Sequence, residues 1–246
     1  EAFFRDCGGR LVSAVEVCEW LYRFLPPKRL TARQVGRMWR RSAHLIRQGL
    51  LPDQVHAYVY IPFCHRYCTY CNLYVVQLRD AAQLEEYVDR LLKQFEFFRP
   101  YFSRLTFRSL VVGGGTPGIL TPGQIHRLFS SFRSSFSVQE DGLRGFEVDP
   151  GSVSVEKLAV LKDVGFTRIS MGVQTFNKSL LKSVNRGHQD TETVCRAVEQ
   201  IRAAGFRDGF NLDVLGGLAG QEIEDGLDCF EQLARLEPTQ ITFNFF

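Results

Sequence analysis

The hydrophobic and polar positions change their period once along the chain. Up to residue 50 the apolar residues recur at helical spacing, over Leu11 to Leu25 and again over Thr31 to Gln48, with Pro26-Pro27 breaking the run. From residue 56 short apolar runs alternate with longer helix-like stretches. The runs cover 56–62, 107–112, 143–148, 167–172, 208–214 and 239–246. The helical stretches cover 81–99, 121–135, 153–164, 177–204 with a break at Asn185-Arg186-Gly187, and 223–236. Thr121 and Ser152 are placed as helix N-caps, the first followed by Pro122. Gly165 and Gly205 stand where helix C-caps are expected.

Strands alternating with helices imply right-handed crossovers and a parallel α/β sheet, here of six strands. The pattern fits an open sheet and an incomplete barrel equally. The expected organisation is a helical extension over 1–52 and a core over 53–246. In either architecture ligands sit at the carboxyl ends of the strands. Those ends lead into Cys64-His65-Arg66-Tyr67-Cys68-Thr69-Tyr70-Cys71, Gly113-Gly114-Gly115-Thr116-Pro117, Glu147-Val148-Asp149-Pro150, Gly172-Val173-Gln174, Asp213 and Asn244. The glycine-rich and polar chemistry therefore gathers on one rim, where a random chain would scatter it.

Composition narrows the class. With 45% hydrophobic and 23% charged residues the chain is ordinary globular material, and a net charge of +3 is too small to argue for nucleic acid. The basic stretch Arg33, Arg37, Arg40, Arg41 and Arg47 reads as a solvated helix face. No run reaches the ~18 apolar residues of a membrane span, and no signal-peptide pattern is present. Seven cysteines, an odd number with three packed into eight residues, do not form a secreted disulfide framework. They fit metal-bound thiolates in a reducing cytoplasm.

Cys64-x3-Cys68-x2-Cys71 follows directly on the first strand. Soft thiolates select iron–sulfur clusters, zinc or copper(I). A structural zinc site wants four protein ligands, usually as two separated pairs, and no second pair exists here. Three thiolates around a [4Fe–4S] cube leave one iron open to chelate a substrate. A zinc site borrowing Cys195 or Cys229, or unligated thiols, remain the alternatives. Cys7, Cys18, Cys195 and Cys229 otherwise read as ordinary buried thiols. Gly113 to Gly118 lets backbone approach a ligand closely, but it does not open directly into a helix as a dinucleotide fingerprint would.

The arrangement Cys64-x3-Cys68-x-Tyr70-Cys71 resembles the signature of the radical S-adenosylmethionine (SAM) superfamily. That resemblance implies that the open iron binds SAM and that the cluster passes an electron to the sulfonium. A 5′-deoxyadenosyl radical then abstracts hydrogen from an organic substrate. It places Tyr70 beside the adenine. The glycine run is similar to the superfamily's glycine motif, which implies that the backbone at Gly114, Gly115 and Thr116 meets the methionine end of SAM. Zwitterionic SAM also needs acids for its ammonium, a guanidinium for its carboxylate, and a carboxylate or amide for its ribose.

From Tyr58 to Phe246, about three quarters of the chain, the sequence resembles one subfamily, oxygen-independent coproporphyrinogen III oxidase and its relatives. The stretches that carry this are 58–64, 113–117, 147–150, 168–177, 185–188 and 211–218. The resemblance implies an incomplete (β/α)6 barrel. It implies that Tyr58, Gln174 and Arg186 help hold the methionine and ribose ends of SAM, with Glu147 near the amino group and Asp213 on the ribose. A second SAM, where the family has one, lies near Phe243 to Phe246. The resemblance also implies a C-terminal substrate-covering domain after the sixth strand, where this chain stops.

Two positions depart from the oxidase pattern: Leu73 stands where the oxidase has a further cysteine, and Tyr60 where it has a histidine. Relatives without that cysteine include radical SAM methyltransferases of natural-product pathways, haem-opening methyltransferases and haem chaperones. The expected reaction is hydrogen abstraction, with methyl transfer from a second SAM placed ahead of oxidative decarboxylation. A haem chaperone with little turnover is the alternative. The expected partners are a tetrapyrrole or natural-product intermediate and an electron donor such as flavodoxin or ferredoxin, with no nucleic acid and no membrane. His44, His56, His126 and His188 read as structural or solvated, and His65, between the cluster ligands, is the one histidine singled out for a test of a role near substrate.

Overall fold

The computed structural model describes residues 3–5, 11–13, 31–51 and 55–245. At the amino end, β1 (Phe3–Arg5) pairs antiparallel with β2 (Leu11–Ser13). The helix expected from Leu11 thus starts as strand. The rest of that stretch to Leu25, with Pro26-Pro27, Cys7 and Cys18, lies outside the described residues. Helix α1 (Ala32–Arg47) follows, with Gly36 and Ala43 buried and its arginines exposed, as a solvated basic face requires. The chain divides into two compact units, Glu1–His44 and Leu45–Phe246.

The second unit carries the parallel sheet. Its strands are β3 (His56–Ile61), β6 (Thr106–Gly114), β7 (Ser137–Val148), β8 (Arg168–Gln174), β9 (Phe210–Gly216) and β10 (Gln240–Phe245). They lie side by side in chain order, every neighbour parallel. Between them run α2 (Ala81–Phe102), α3 (Pro122–Ser135), α4 (Val155–Asp163), α5 (Lys178–Ser183) with α6 (Thr191–Ala204), and α7 (Ile223–Leu236). A doubly wound sheet reverses its strand order at a switch point. Here every crossover advances one strand in the same direction, which places the helices on one face and leaves the other face as the inside of a partial barrel.

Each strand sorts its side chains by the period of two. On β8 Ile169, Met171 and Val173 are buried, whereas Ser170, Gly172 and Gln174 alternate with them. On β9 Leu212 and Val214 enter the apolar core, and Asn211 and Asp213 take the other face. On β7 Phe146 and Val148 enter the core and Glu147 does not. The inner face of the barrel is consequently polar along its middle strands, and the apolar layer lies between sheet and helices. Phe129, Phe146 and Phe166 meet edge to face within that layer, with centroids 4.9–6.3 Å apart.

Helix ends follow local chemistry. Thr121 caps α3 through a capping box with Gln124, and Gly205 closes α6 at φ 64°. The cap of α4 is Ser154 rather than Ser152, because Pro150–Ser152 forms a 3₁₀ turn first. Among the described residues no helix is long and apolar enough to cross a membrane.

Candidate active site

The cysteine loop leaves the sheet at the end of β3 and is held by a short parallel pair, β4 (Phe63–Cys64) and β5 (Val76–Gln77). Val76 N donates to Pro62 O (2.7 Å) and Leu78 N to Cys64 O (2.9 Å), which closes the loop on itself. Tyr60 OH donates to Tyr74 O (2.5 Å), and the Tyr67 hydroxyl accepts from Gln77 N (2.9 Å). Sequence reasoning missed β4 and β5, since two-residue strands show no periodicity.

A cavity of about 700 Å³ opens at the carboxyl ends of the strands. It is lined by Cys64, Cys68, Tyr70, Cys71, Gly114, Gly115, Thr116, Glu147, Gln174, Arg186 and Asp213, which brings together all the expected site residues except Tyr58. Tyr58 lies next to the cavity on edge strand β3. A Cβ at Gly113 would strike its hydroxyl and the Glu147 carboxyl together. Its phenol is pushed up to about 12 by burial, then by Glu147 and Tyr60.

The glycines are required by close approach. A Cβ on Gly115 would sit 2.9 Å from Cys64 Sγ and 2.6 Å from Phe63 O, and Gly114 has φ 117°, which side chains rarely adopt. Thr116 Oγ1 lies 3.5 Å from Cys64 Sγ. Burial raises the Cys64 thiol above its usual range, and the Thr116 hydroxyl opposes this.

The acids face the opposite wall. Glu147 is raised to about 7, first by burial and then by Asp213, while the Gly114 N–H works against the shift. Asp213 accepts from Ser170 Oγ (3.0 Å) and Asn211 Nδ2 (2.7 Å), so its carboxylate is already oriented. Gln174 sits at φ 71° where the β8–β9 register slips between Gly172 and Gln174. Its side chain shares the cavity wall with Ser170 and Gly172, the same face of β8.

Arg186 is almost fully buried and contacts Tyr70 OH (3.2 Å), Cys68 Sγ (3.8 Å), Gly172 O (2.8 Å) and Gln189 Oε1 (2.9 Å). Burial alone would lower its pKa, but Tyr70 and Cys68 outweigh that and raise it. Burial raises the Tyr70 phenol, against the pull of Arg186. Asp149, Lys157 and His188 also line the cavity, as does His65. Lys157 Nζ donates to Gly118 O (2.5 Å) and Ser152 O (3.0 Å), tying two rim turns together. Nothing in the local sequence marked Lys157, whose helix reaches the rim only in the closed fold, while His188, read from the sequence as structural or solvated, stands on the cavity wall.

The donor set fits a cubane cluster. Among the described residues no three His, Cys, Asp or Glu side chains converge as they would around a single metal ion. Thiolates of a [4Fe–4S] cube each take a different iron and need no such convergence. Cys195 and Cys229, the candidate fourth zinc ligands, lie on α6 and α7 and do not line the cavity. The five described cysteines are all free thiols. Beside them, glycine backbone, two acids and an amide stand where a zwitterionic nucleoside would meet complementary groups.

Residues 58–233 match the family model of the radical SAM superfamily. The oxygen-independent coproporphyrinogen III oxidase of Escherichia coli (strain K12) is 35% identical over 189 residues, covering 76% of this chain and 41% of that protein. The heme chaperone HemW of Lactococcus lactis subsp. lactis (strain IL1403) is 35% identical over 168 residues, covering 68% of this chain and 42% of that protein. The solved structure of coproporphyrinogen III oxidase (HemN) from Escherichia coli, described as a radical SAM enzyme, aligns with a TM-score of 0.77 at 30% identity. It covers 88% of this chain and 48% of that one. The chain thus spans less than half the length of these relatives. Cysteine loop, glycine turn and sequentially ordered parallel strands agree with these matches: the chain belongs to the radical SAM superfamily, whose members use a [4Fe–4S] cluster and SAM.

Proposed function

We propose that this chain binds a [4Fe–4S] cluster through Cys64, Cys68 and Cys71, binds SAM in the adjoining cavity, and removes a hydrogen atom from a tetrapyrrole-class substrate. The observation that carries this is the single cavity shared by the three thiols, the Gly114-Gly115 backbone and the Glu147–Asp213 pair. A cluster held by Cys64, Cys68 and Cys71 would supply the one electron needed to cleave the C5′–S bond of SAM into methionine and the deoxyadenosyl group that would take hydrogen from the substrate. The protein's own part is binding and orientation. The Gly114 and Gly115 backbone lets the methionine end approach the thiols. Glu147, ionising as an ammonium arrives, pairs with it, and Asp213 accepts from ribose hydroxyls. Gln174 closes the same wall. An external one-electron donor of the flavodoxin or ferredoxin kind supplies the electron, in a reducing cytoplasm that keeps the thiols free.

The test is anaerobic reconstitution with iron and sulfide, then dithionite and SAM, with nucleosides identified by mass spectrometry. 5′-Deoxyadenosine is expected. S-adenosylhomocysteine alongside it assigns the following step to methyl transfer, whereas loss of carbon dioxide from a porphyrinogen assigns it to oxidative decarboxylation. A cluster-loaded protein that makes no 5′-deoxyadenosine sinks the enzyme reading.

A second reading, haem handling with slow turnover, rests on Leu73 and Val75. These apolar side chains line the cavity beside the thiols, and the Leu73 side chain is exposed there. An apolar rim suits a flat macrocycle. Tight haem binding together with very slow SAM cleavage would favour this reading.

A further inference from the structure

Gln189 is buried at 4% exposure, with its side-chain oxygen and nitrogen each hydrogen-bonded to a neighbour. Its carbonyl oxygen accepts from Arg186 Nε (3.3 Å) and Nη2 (2.9 Å), and its amide nitrogen donates to Val173 O (2.6 Å). A guanidinium has five N–H donors. In Arg186 each has an acceptor: Gln189 Oε1 takes two, Gly172 O one, Tyr70 OH one and Cys68 Sγ one. The Nε–Nη2 edge is thus fixed by Gln189 and Gly172, and that leaves Nη1 aimed at Tyr70 and Cys68.

We propose that Gln189 is a positioning residue for the cluster: by locking Arg186 it aims a guanidinium N–H at the Cys68 sulfur and so sets the cluster's reduction potential. The proposal rests on the assignment of Cys68 as a cluster ligand. Reduction adds negative charge to the cluster and its thiolates. A buried cation with an N–H on a ligand sulfur stabilises the reduced form and raises the potential, and hydrogen bonds to the sulfurs are one of the levers proteins have on such clusters. Arg186 lies out of bulk water, so the effect is weakly screened.

The experiment compares the wild-type chain with Gln189→Met, which keeps side-chain length without polar groups, and with Arg186→Lys, which keeps charge without the planar fork. After anaerobic reconstitution, iron content, midpoint potential by electron paramagnetic resonance titration, and resonance Raman spectra in light and heavy water are measured. Both variants should hold as much iron as the wild type but titrate at a more negative potential. The deuterium-sensitive iron–sulfur band of the wild type should lose its shift in both. Full iron with unchanged potential in both variants overturns the proposal. If neither variant holds a cluster, the wild-type spectrum decides: a deuterium shift supports the hydrogen bond to sulfur, and its absence overturns it. A wild-type chain that takes up no iron would sink the cluster assignment itself, and this proposal with it.

Discussion

The Asn185 side-chain amide donates to the carbonyl of Tyr67 at 2.6 Å, joining two segments 118 residues apart in the chain. Thr69 N donates to Val184 O (3.4 Å) beside it, so the cysteine loop is pinned to the turn that carries Arg186. Asn185 itself sits at φ 62°, a left-handed conformation that asparagine tolerates better than most residues.

Asn185→Ala removes the bond and strains the turn together, and should cost about 1–2 kcal/mol in denaturant unfolding. Asn185→Gly relieves the strain but not the lost bond, and should recover part of that stability. Both variants should lose iron to a chelator faster than the wild type. Equal chelation rates in all three proteins would show that the pin does not hold the loop.

Gly115→Ala places a methyl 2.9 Å from Cys64 Sγ and 2.6 Å from Phe63 O, with backbone on one side that cannot yield. Overpacking of this kind costs about 1–3 kcal/mol. Because the strain falls on a thiol, cluster assembly should fail before the fold does. Circular dichroism should remain near wild type while iron content collapses. A variant with full iron would remove the close-approach argument.

Cys68→Ala tests the ligand set directly. Cys68 is only half-buried and its polar contacts are with Arg186 and Tyr70, so the fold should lose little. Visible absorption and iron analysis should show no [4Fe–4S] cluster. An intact cluster would reject the assignment.

Glu147 gives the pH dependence. Its carboxyl is raised from 4.5 to about 7, chiefly by burial and then by Asp213. Between those values the folded chain holds a proton that the unfolded chain has lost, so stability falls as pH rises from about 4.5 to about 7. At about 1.36 kcal/mol per unit the upper bound of the loss is about 3 kcal/mol. Urea unfolding of the ligand-free protein at about pH 5 and about pH 8 should reveal the slope. Glu147→Gln should flatten it and exceed the wild type in stability at the higher pH. A variant as steep as the wild type would place the slope elsewhere.

The order of strands and helices, the position of the cysteine cluster at a strand end, and the site acids on the same rim were legible in the sequence. All three are local. A period of two or of 3.6 reports which side of a segment is buried, and parallel crossovers force every strand's carboxyl end to one side. Glu147, Gln174 and Asp213 could therefore be placed on the rim before any contact was known. Only the tertiary structure decided between an open sheet and a partial barrel, because side-chain periodicity is the same in both and strand order is not. It also decided which side chains turn toward the cavity from outside the strands, such as Lys157 and His188, and it left Tyr58 beside the cavity rather than on its wall. The lock of Gln189 on Arg186 lies within one turn, but the contact of Arg186 with Cys68 joins segments 118 residues apart. No pattern within a segment reports a contact that exists only when distant segments meet.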